Sequence, residues 1–310
     1  MRIVCKKYEK NPILTKEDVP YPCDAVYNSG AAKYKGKYIL LLRVLLLNGN
    51  SVFGLAESND GYDFTVRPKP VMVAADKGPF KMYEERGIED PRITRIGDTY
   101  YIFYSAYSRY GMRIGLAKTK DFEKFEKVAL TTTVDYRNSV LFPKKINGKY
   151  VRLERPNVAH TLSIWISYSQ DLIHWGKQEL LMAPYGKHIW EDHKIGPGAP
   201  PIETPKGWLS IYHGVTWTMD GMTYRLGCAL HDLNNPAKII GIADQFILGP
   251  DEIYERVGYV HNVVFTCGAI PEPDGTVKIY YGGADQCMCL ATAKIADLID
   301  ICLKGKRPPL

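Results

Sequence analysis

The chain has 310 residues, 45% apolar and 24% charged, a balance that excludes disorder and supplies enough apolar surface for a core without disulfide staples. Its net charge of +6, from 40 Lys and Arg against 34 Asp and Glu with no basic run, argues against a nucleic-acid arm or a polybasic membrane anchor and weakly favours a small anionic ligand. No stretch approaches the roughly 18 apolar residues of a membrane span, and the opening MRIVCKKYEKNPIL lacks the apolar region of a secretion signal.

The seven cysteines, Cys5, Cys23, Cys228, Cys267, Cys287, Cys289 and Cys302, are odd in number and show no paired CxxC spacing. They read as small buried thiols in a reducing, cytoplasmic setting. His188 and His193 flank Trp190 and Asp192 at a spacing that matches no common zinc pattern, so neither a metal nor a cofactor is expected.

Taken in chain order, the predicted strands repeat. GKYILLLR from Gly36, GDTYYIFYS from Gly97, NGKYVRLER around Gly148, GWLSIYHG from Gly207 and DGTVKIYYGG around Gly275 each open on a glycine turn. Alternating aromatic and β-branched residues follow, as in a half-buried strand leaving a hairpin. Each leads to a second strand rich in Gly, Ala or Ser: VFGLAESNDGYDF, RIGLAKTKDFEKF, IWISYSQDLIHW, RLGCALHDLNNP and CMCLATAKIADL. These end on Asp60, Asp121, Asp171, Asp232 and Asp297, spaced 24, 24, 23, 25 and 22 residues after the turn glycine. An antiparallel sheet used five times is a five-bladed β-propeller, so the expectation is an all-β fold forming a single domain over residues 1–310. The constant place of the five aspartates predicts that they close turns by side-chain to backbone hydrogen bonds. ATAKIADLIDICLKG has helical apolar spacing and predicts a short closing helix.

A propeller brings residues from all its blades to one axial hollow. Before the second repeat lies YEERGIEDPRI, where Glu84, Glu85, Glu89 and Asp90 crowd beside Arg86 and Arg92. Pro91 imposes an extended backbone on Asp90 and aims its carboxylate into the hollow, whereas Glu84 to Arg86 read as a charged surface loop. Asp285, in GGADQ, is the second carboxylate that a glycosidase would need. Cations recur later: Arg137 beside Asn138 in YRNSV, Arg155 in RLERPN, Lys194 in EDHKIGPGAPP and His213 in IYHG. Supplied one each by four blades, two Arg, a Lys and a His would hold a phosphate-like anion. The glycines and prolines of GPGAPP fit a backbone turning tightly beside a ligand.

Together these segments resemble glycoside hydrolase family 130, the β-mannoside phosphorylases. The resemblance is carried by YNSGAA at Tyr27 to Ala32, LLRV with Arg43, GIEDPR, DYRNSVLFP, LERPN, HKIGPGAPP, IYHG and YYGGADQ, in order along essentially the whole chain. It implies a five-bladed propeller that cleaves a β-mannoside with inorganic phosphate as co-substrate, inverting configuration to give α-mannose 1-phosphate. Asp90 is then the general acid, passing its proton through a hydroxyl of the sugar. Arg137, Asn138, Arg155, Lys194, His213 and Tyr224 are implied to hold phosphate, and Asn28, Ser29, Arg43 and Asp285 the mannose ring. The family also holds β-1,2-mannosidases, which lack these cations and use a carboxylate pair on water. That alternative would place Asp285, or one of Glu84, Glu85 and Glu89, at the water; a non-catalytic sugar-binding propeller is a third reading. Glucose, N-acetylglucosamine and mannose, in β-1,4 or β-1,2 linkage, stay open as leaving sugars, as does the association of copies. Tyr83, Tyr107, Tyr110, Tyr185 and Trp217 are candidates to stack on that sugar.

Overall fold

The structure, a computed structural model, describes residues 4–158 and 162–310. Its strands form five antiparallel sheets, one per predicted repeat, set side by side around an axis as a five-bladed β-propeller. The first blade runs outward through Ala25–Tyr34, Lys37–Leu45, Ser51–Ser58 and Thr65–Val66. The second comprises Ile88–Ile96, Thr99–Ser108, Gly111–Thr119 and Glu126–Leu130, and the third Tyr136–Leu141, Tyr150–Pro156, Ile164–Ser169 and Trp175–Met182. In the fourth, the innermost strand is split into Lys194–Pro197 and Ile202–Thr204, both paired with Gly207–Thr218, followed by Gly221–His231 and Ile239–Ile242. Pro200 and Pro201 fall in the gap, since proline has no N–H to give to the ladder. The fifth blade is Val264–Pro271, Thr276–Gly283 and Cys287–Lys294, and its outermost strand is Cys5–Lys7 from the start of the chain. That pairing closes the ring.

The turn chemistry behaves as expected. Gly36, Gly97, Gly148, Gly207 and Gly275 all have positive φ, the backbone state that glycine adopts without steric cost. Asp60, Asp121, Asp171 and Asp232 each accept two backbone N–H groups two and three residues ahead. Asp297 departs from the pattern: it lies in the first turn of the helix Ile295–Lys304, where a carboxylate complements the helix dipole instead of closing a turn. That helix buries Leu298, Ile299 and Cys302, with Cys302 Sγ 3.4 Å from Cys228 Sγ.

Each blade is covered on both faces by its neighbours, so its central strands read as continuous apolar runs and not as an alternation. Ile39 and Leu41 pack toward Ile93, Ile102 and Tyr104 of the second blade, while Leu40 and Leu42 pack toward Tyr280 and Leu290 of the fifth. No helix of the described residues is long and apolar enough to cross a membrane.

Three of the innermost strands share a local irregularity that positions the site. Their pairing shifts register between Tyr27 and Gly30, between Glu89 and Arg92, and between Arg137 and Val140. Within these bulges Asn28, Asp90 and Asn138 hold φ of 49°, 52° and 57°, a left-handed state that non-glycine residues keep only where the surroundings impose it. A bulge re-aims one side chain out of the strand alternation.

Candidate active site

Asn28, Asp90 and Asn138 line an axial cavity of about 350 Å³, together with Arg43, Arg137, Arg155, Lys194, Tyr224, Phe265 and Asp285. One bulge per blade thus delivers an amide, a carboxylate and an amide to the same hollow.

Asp90 is buried and braced. Its Oδ1 accepts from Asn28 Nδ2 and Arg43 Nη1, both at 3.0 Å, and its main-chain oxygen accepts from Arg92 Nη1 at 2.9 Å. Arg92 also donates to Gly198 O, Pro197 O and Asn138 Oδ1, tying the second blade to the third and fourth. Both side-chain bonds end on Oδ1, and none among the described residues ends on Oδ2. Burial pushes the Asp90 carboxyl up, but Arg43, Arg92 and the Asn28 and Arg43 hydrogen bonds outweigh it and hold the group below its usual range. Arg43 divides itself, giving Nη2 to Glu89 Oε1 at 2.7 Å; burial leaves Glu89 raised despite that contact. Asp285, also at φ 51°, is pushed up to about 6 by burial and by the charges of Asp90 and Glu89, against the pull of Arg43. The glycine at 282 is required here, because a Cβ would lie 2.3 Å from Asn28 Oδ1.

The opposite wall is cationic. Arg137 and Arg155 face each other directly across two paired strands, an arrangement of like charges that destabilises a sheet. Lys194 lies against the Tyr224 ring, its Nζ 4.8 Å from the centroid. No carboxylate among the described residues forms an ion pair with Arg137, Arg155 or Lys194, although Arg155 and Lys194 are only 7% and 9% exposed. Burial, with Arg155 and Arg137 nearby, pulls Lys194 down to about 7. Unpaired buried cations are costly and are retained where an anion completes them.

The structure places His213 behind the cavity wall and not in it. It is fully buried behind Arg155, whose Nη1 lies 2.8 Å from its Nε2. Burial and the neighbouring Arg155, Arg92 and Lys194 hold its pKa far below the usual value, so it is a neutral acceptor that orients Arg155. Gly196 permits this contact, since a Cβ there would meet the His213 ring at 2.6 Å. The cations are also not drawn one each from four blades: Arg137 and Arg155 belong to the third, Lys194 and His213 to the fourth. Tyr224 is on the fourth as well. The cavity therefore has Asp90 and Asp285 on the side built by the fifth, first and second blades, and its cations Arg137, Arg155 and Lys194 on the side built by the third and fourth, where Asp135 also lines it.

Of the remaining expected residues, Asn28, Arg43 and Asp285 line the cavity, whereas Ser29 is fully buried and does not. Glu84 is no surface residue: its side chain is fully buried, accepting from Tyr104 Oη and Ala75 N at 2.7 Å each and pairing with Lys127. Glu85 is bound to Arg109, and neither glutamate reaches the cavity. His188 bonds Glu191, and His193 leans on Trp217. Phe265 lines the cavity and was missed, as was Arg92, which braces Asp90 without lining the cavity. Arg92 was signalled by its place two residues after Asp90; Phe265 carried no signal.

A five-bladed propeller whose axial pocket sets a braced carboxylate against unpaired cations has the makings of an acid-assisted enzyme acting with an anion. The chain belongs to glycoside hydrolase family 130: the family profile, described as beta-1,4-mannooligosaccharide phosphorylase, matches residues 5–304. It is 33% identical to a beta-1,2-mannobiose phosphorylase of Listeria innocua, covering 94% of this chain and 97% of that protein. It is 34% identical to a beta-1,4-mannooligosaccharide phosphorylase of Ruminococcus albus, over 95% and 89% of the two chains. The solved structure of the Listeria innocua enzyme with beta-1,2-mannobiose superposes with a TM-score of 0.88 at 32% identity, covering 96% of this chain and 99% of that one.

Proposed function

We propose that this protein is an inverting β-mannoside phosphorylase, transferring a mannosyl group from a β-mannoside to inorganic phosphate to form α-mannose 1-phosphate. The carrying observation is the trio Arg137, Arg155 and Lys194, set without carboxylate partners against a cavity that also holds Asp90. The family and the names of the relatives support the same reaction class.

In this reading phosphate lies between Arg137, Arg155 and Lys194, with the Asn138 amide and the Tyr224 hydroxyl completing its shell and His213 holding Arg155 in place. Asn28, Arg43 and Asp285 hold the mannose, and Ser29 supports the bulge beneath it. Phosphate oxygen attacks the anomeric carbon as the bond to the leaving oxygen breaks, and Asp90 supplies the proton that the leaving oxygen takes up, relayed by a hydroxyl of the sugar. No general base is needed, because a phosphate dianion is already a nucleophile; what it needs is neutralisation of its charge. An acid must be protonated before it acts, and in the unliganded site Asp90 sits low. Phosphate brings two negative charges to the same cavity, which offsets the cations and raises Asp90 when the substrates are in place. No cofactor enters the scheme. A cytoplasmic location belongs to the same reading, supported by seven cysteines with no disulfide.

The hydrolase alternative is weakened by the position of its candidate bases: Glu84 and Glu85 do not line the cavity and Glu89 is committed to Arg43, which leaves Asp285. Release of the leaving sugar from a panel of β-1,2- and β-1,4-mannosides, separated chromatographically from the intact substrate, with and without phosphate, tests the proposal. Phosphate-dependent release supports it; equal release without phosphate rejects it in favour of water as the nucleophile.

A further inference from the structure

The face of the fourth blade that bounds the cavity continues beyond it. Directly opposed residues of an antiparallel pair share a face, and every second residue repeats it. Val215 is opposite Tyr224 and Trp217 is opposite Met222, so all four project from one side of the hairpin. Tyr224 and Met222 line the cavity, as does Lys194, the partner of Val215 on the adjoining strand. The stripe runs outward from buried His213 through half-buried Tyr224 to Trp217, which is 64% exposed. Among the described residues the indole has one aromatic neighbour, the His193 ring, with centroids 5.8 Å apart.

An exposed indole continuous with a polar cavity offers a broad apolar plane at its rim. Phosphate has no apolar face to lay on it, and the reacting mannose is held deeper, among amides and charges. The remaining component is the sugar that leaves. A pyranose presents a flat face of C–H groups, which an aromatic plane desolvates without needing matched hydrogen bonds.

We infer that Trp217, supported by Met222, is the platform on which the leaving sugar stacks through the C–H face of its pyranose ring, and that it sets which sugars serve as acceptors in the reverse reaction. This rests on the phosphorolysis proposed above. The site reads ring face more than hydroxyl pattern, so it favours pyranoses with one unobstructed C–H face.

The test runs in the synthetic direction, with α-mannose 1-phosphate and glucose, N-acetylglucosamine or mannose as acceptor. Trp217→Ala raises the KM of the best acceptor about tenfold or more and leaves the KM of mannose 1-phosphate unchanged, while Trp217→Phe restores most of the loss. An unchanged acceptor KM, or a parallel rise in both, overturns the platform. Should the wild-type protein make no mannoside from mannose 1-phosphate, the proposed reaction itself fails. The platform is then read from indole fluorescence during titration with a β-mannooligosaccharide. A change present in wild type and absent in Trp217→Phe supports it, and no change in wild type overturns it.

Discussion

Arg43 Nη1 lies 3.0 Å from Asp90 Oδ1, and this contact holds the proposed acid in its ionised form until substrate arrives. Because the same guanidinium also binds Glu89, Arg43 is oriented from two sides, and Asp90 cannot swing away without leaving a buried charge uncompensated. The bulge that turns Asp90 toward the axis and the arginine that meets it are parts of one device.

Asp90→Asn should lower kcat by roughly 10²–10⁴-fold, the usual contribution of a positioned acid. The melting temperature should change little, since the amide can still accept from Asn28 and Arg43. Steady-state rates beside a thermal denaturation curve check both parts; a near-normal rate would place the acid elsewhere.

Arg155→Ala removes a buried, charge-assisted donor from the proposed phosphate pocket. It should raise the KM for phosphate roughly 10–100-fold while the KM for the mannoside stays close to wild type. Initial rates over a grid of both substrates separate the two constants.

Lys194, drawn down to about 7, makes anion binding depend on pH. It is protonated below that value and attracts the anion; as pH rises through about 7 the unliganded protein loses this charge and binding weakens. Sulfate isolates the effect, because it has no ionisation of its own in this range. Calorimetric sulfate affinity should fall as pH rises above about 7, and Lys194→Arg should flatten that fall.

Glu84→Ala breaks a buried cluster and leaves Lys127 and Tyr104 without their acceptor. The expected cost is about 3–5 kcal/mol of stability, measured by denaturant unfolding, with kcat of the folded protein unchanged. A lost kcat without lost stability would instead support Glu84 as a base.

The propeller was legible because its signals are local. A glycine with positive φ at Gly36 or Gly97 and an aspartate collecting N–H groups at Asp60 or Asp121 act within a few residues, so they repeat visibly along the chain. Asp297 broke the series because the last outer strand comes from the opposite end of the chain, and the segment after it is free to become helix. Asp90 was legible as a candidate, but its backbone was not: Pro91 led to the expectation of an extended residue, whereas a bulge, which like those at Asn28 and Asn138 depends on the partner strand, holds Asp90 at φ 52°. The blade-by-blade sharing of cations was misread because Arg137 and Arg155, 18 residues apart in sequence, become direct partners across one hairpin. Glu84 looked like surface because burial of a charge is set by partners as distant as Lys127, 43 positions away.

The central claim is that phosphate, held by Arg137, Arg155 and Lys194, is the nucleophile. Phosphorus-31 NMR of the protein with a β-mannoside and inorganic phosphate tests it directly. One new α-configured sugar phosphate is expected, formed only when inorganic phosphate is present and in equal amount to the sugar released. Free mannose appearing at the same rate in the absence of phosphate would contradict it.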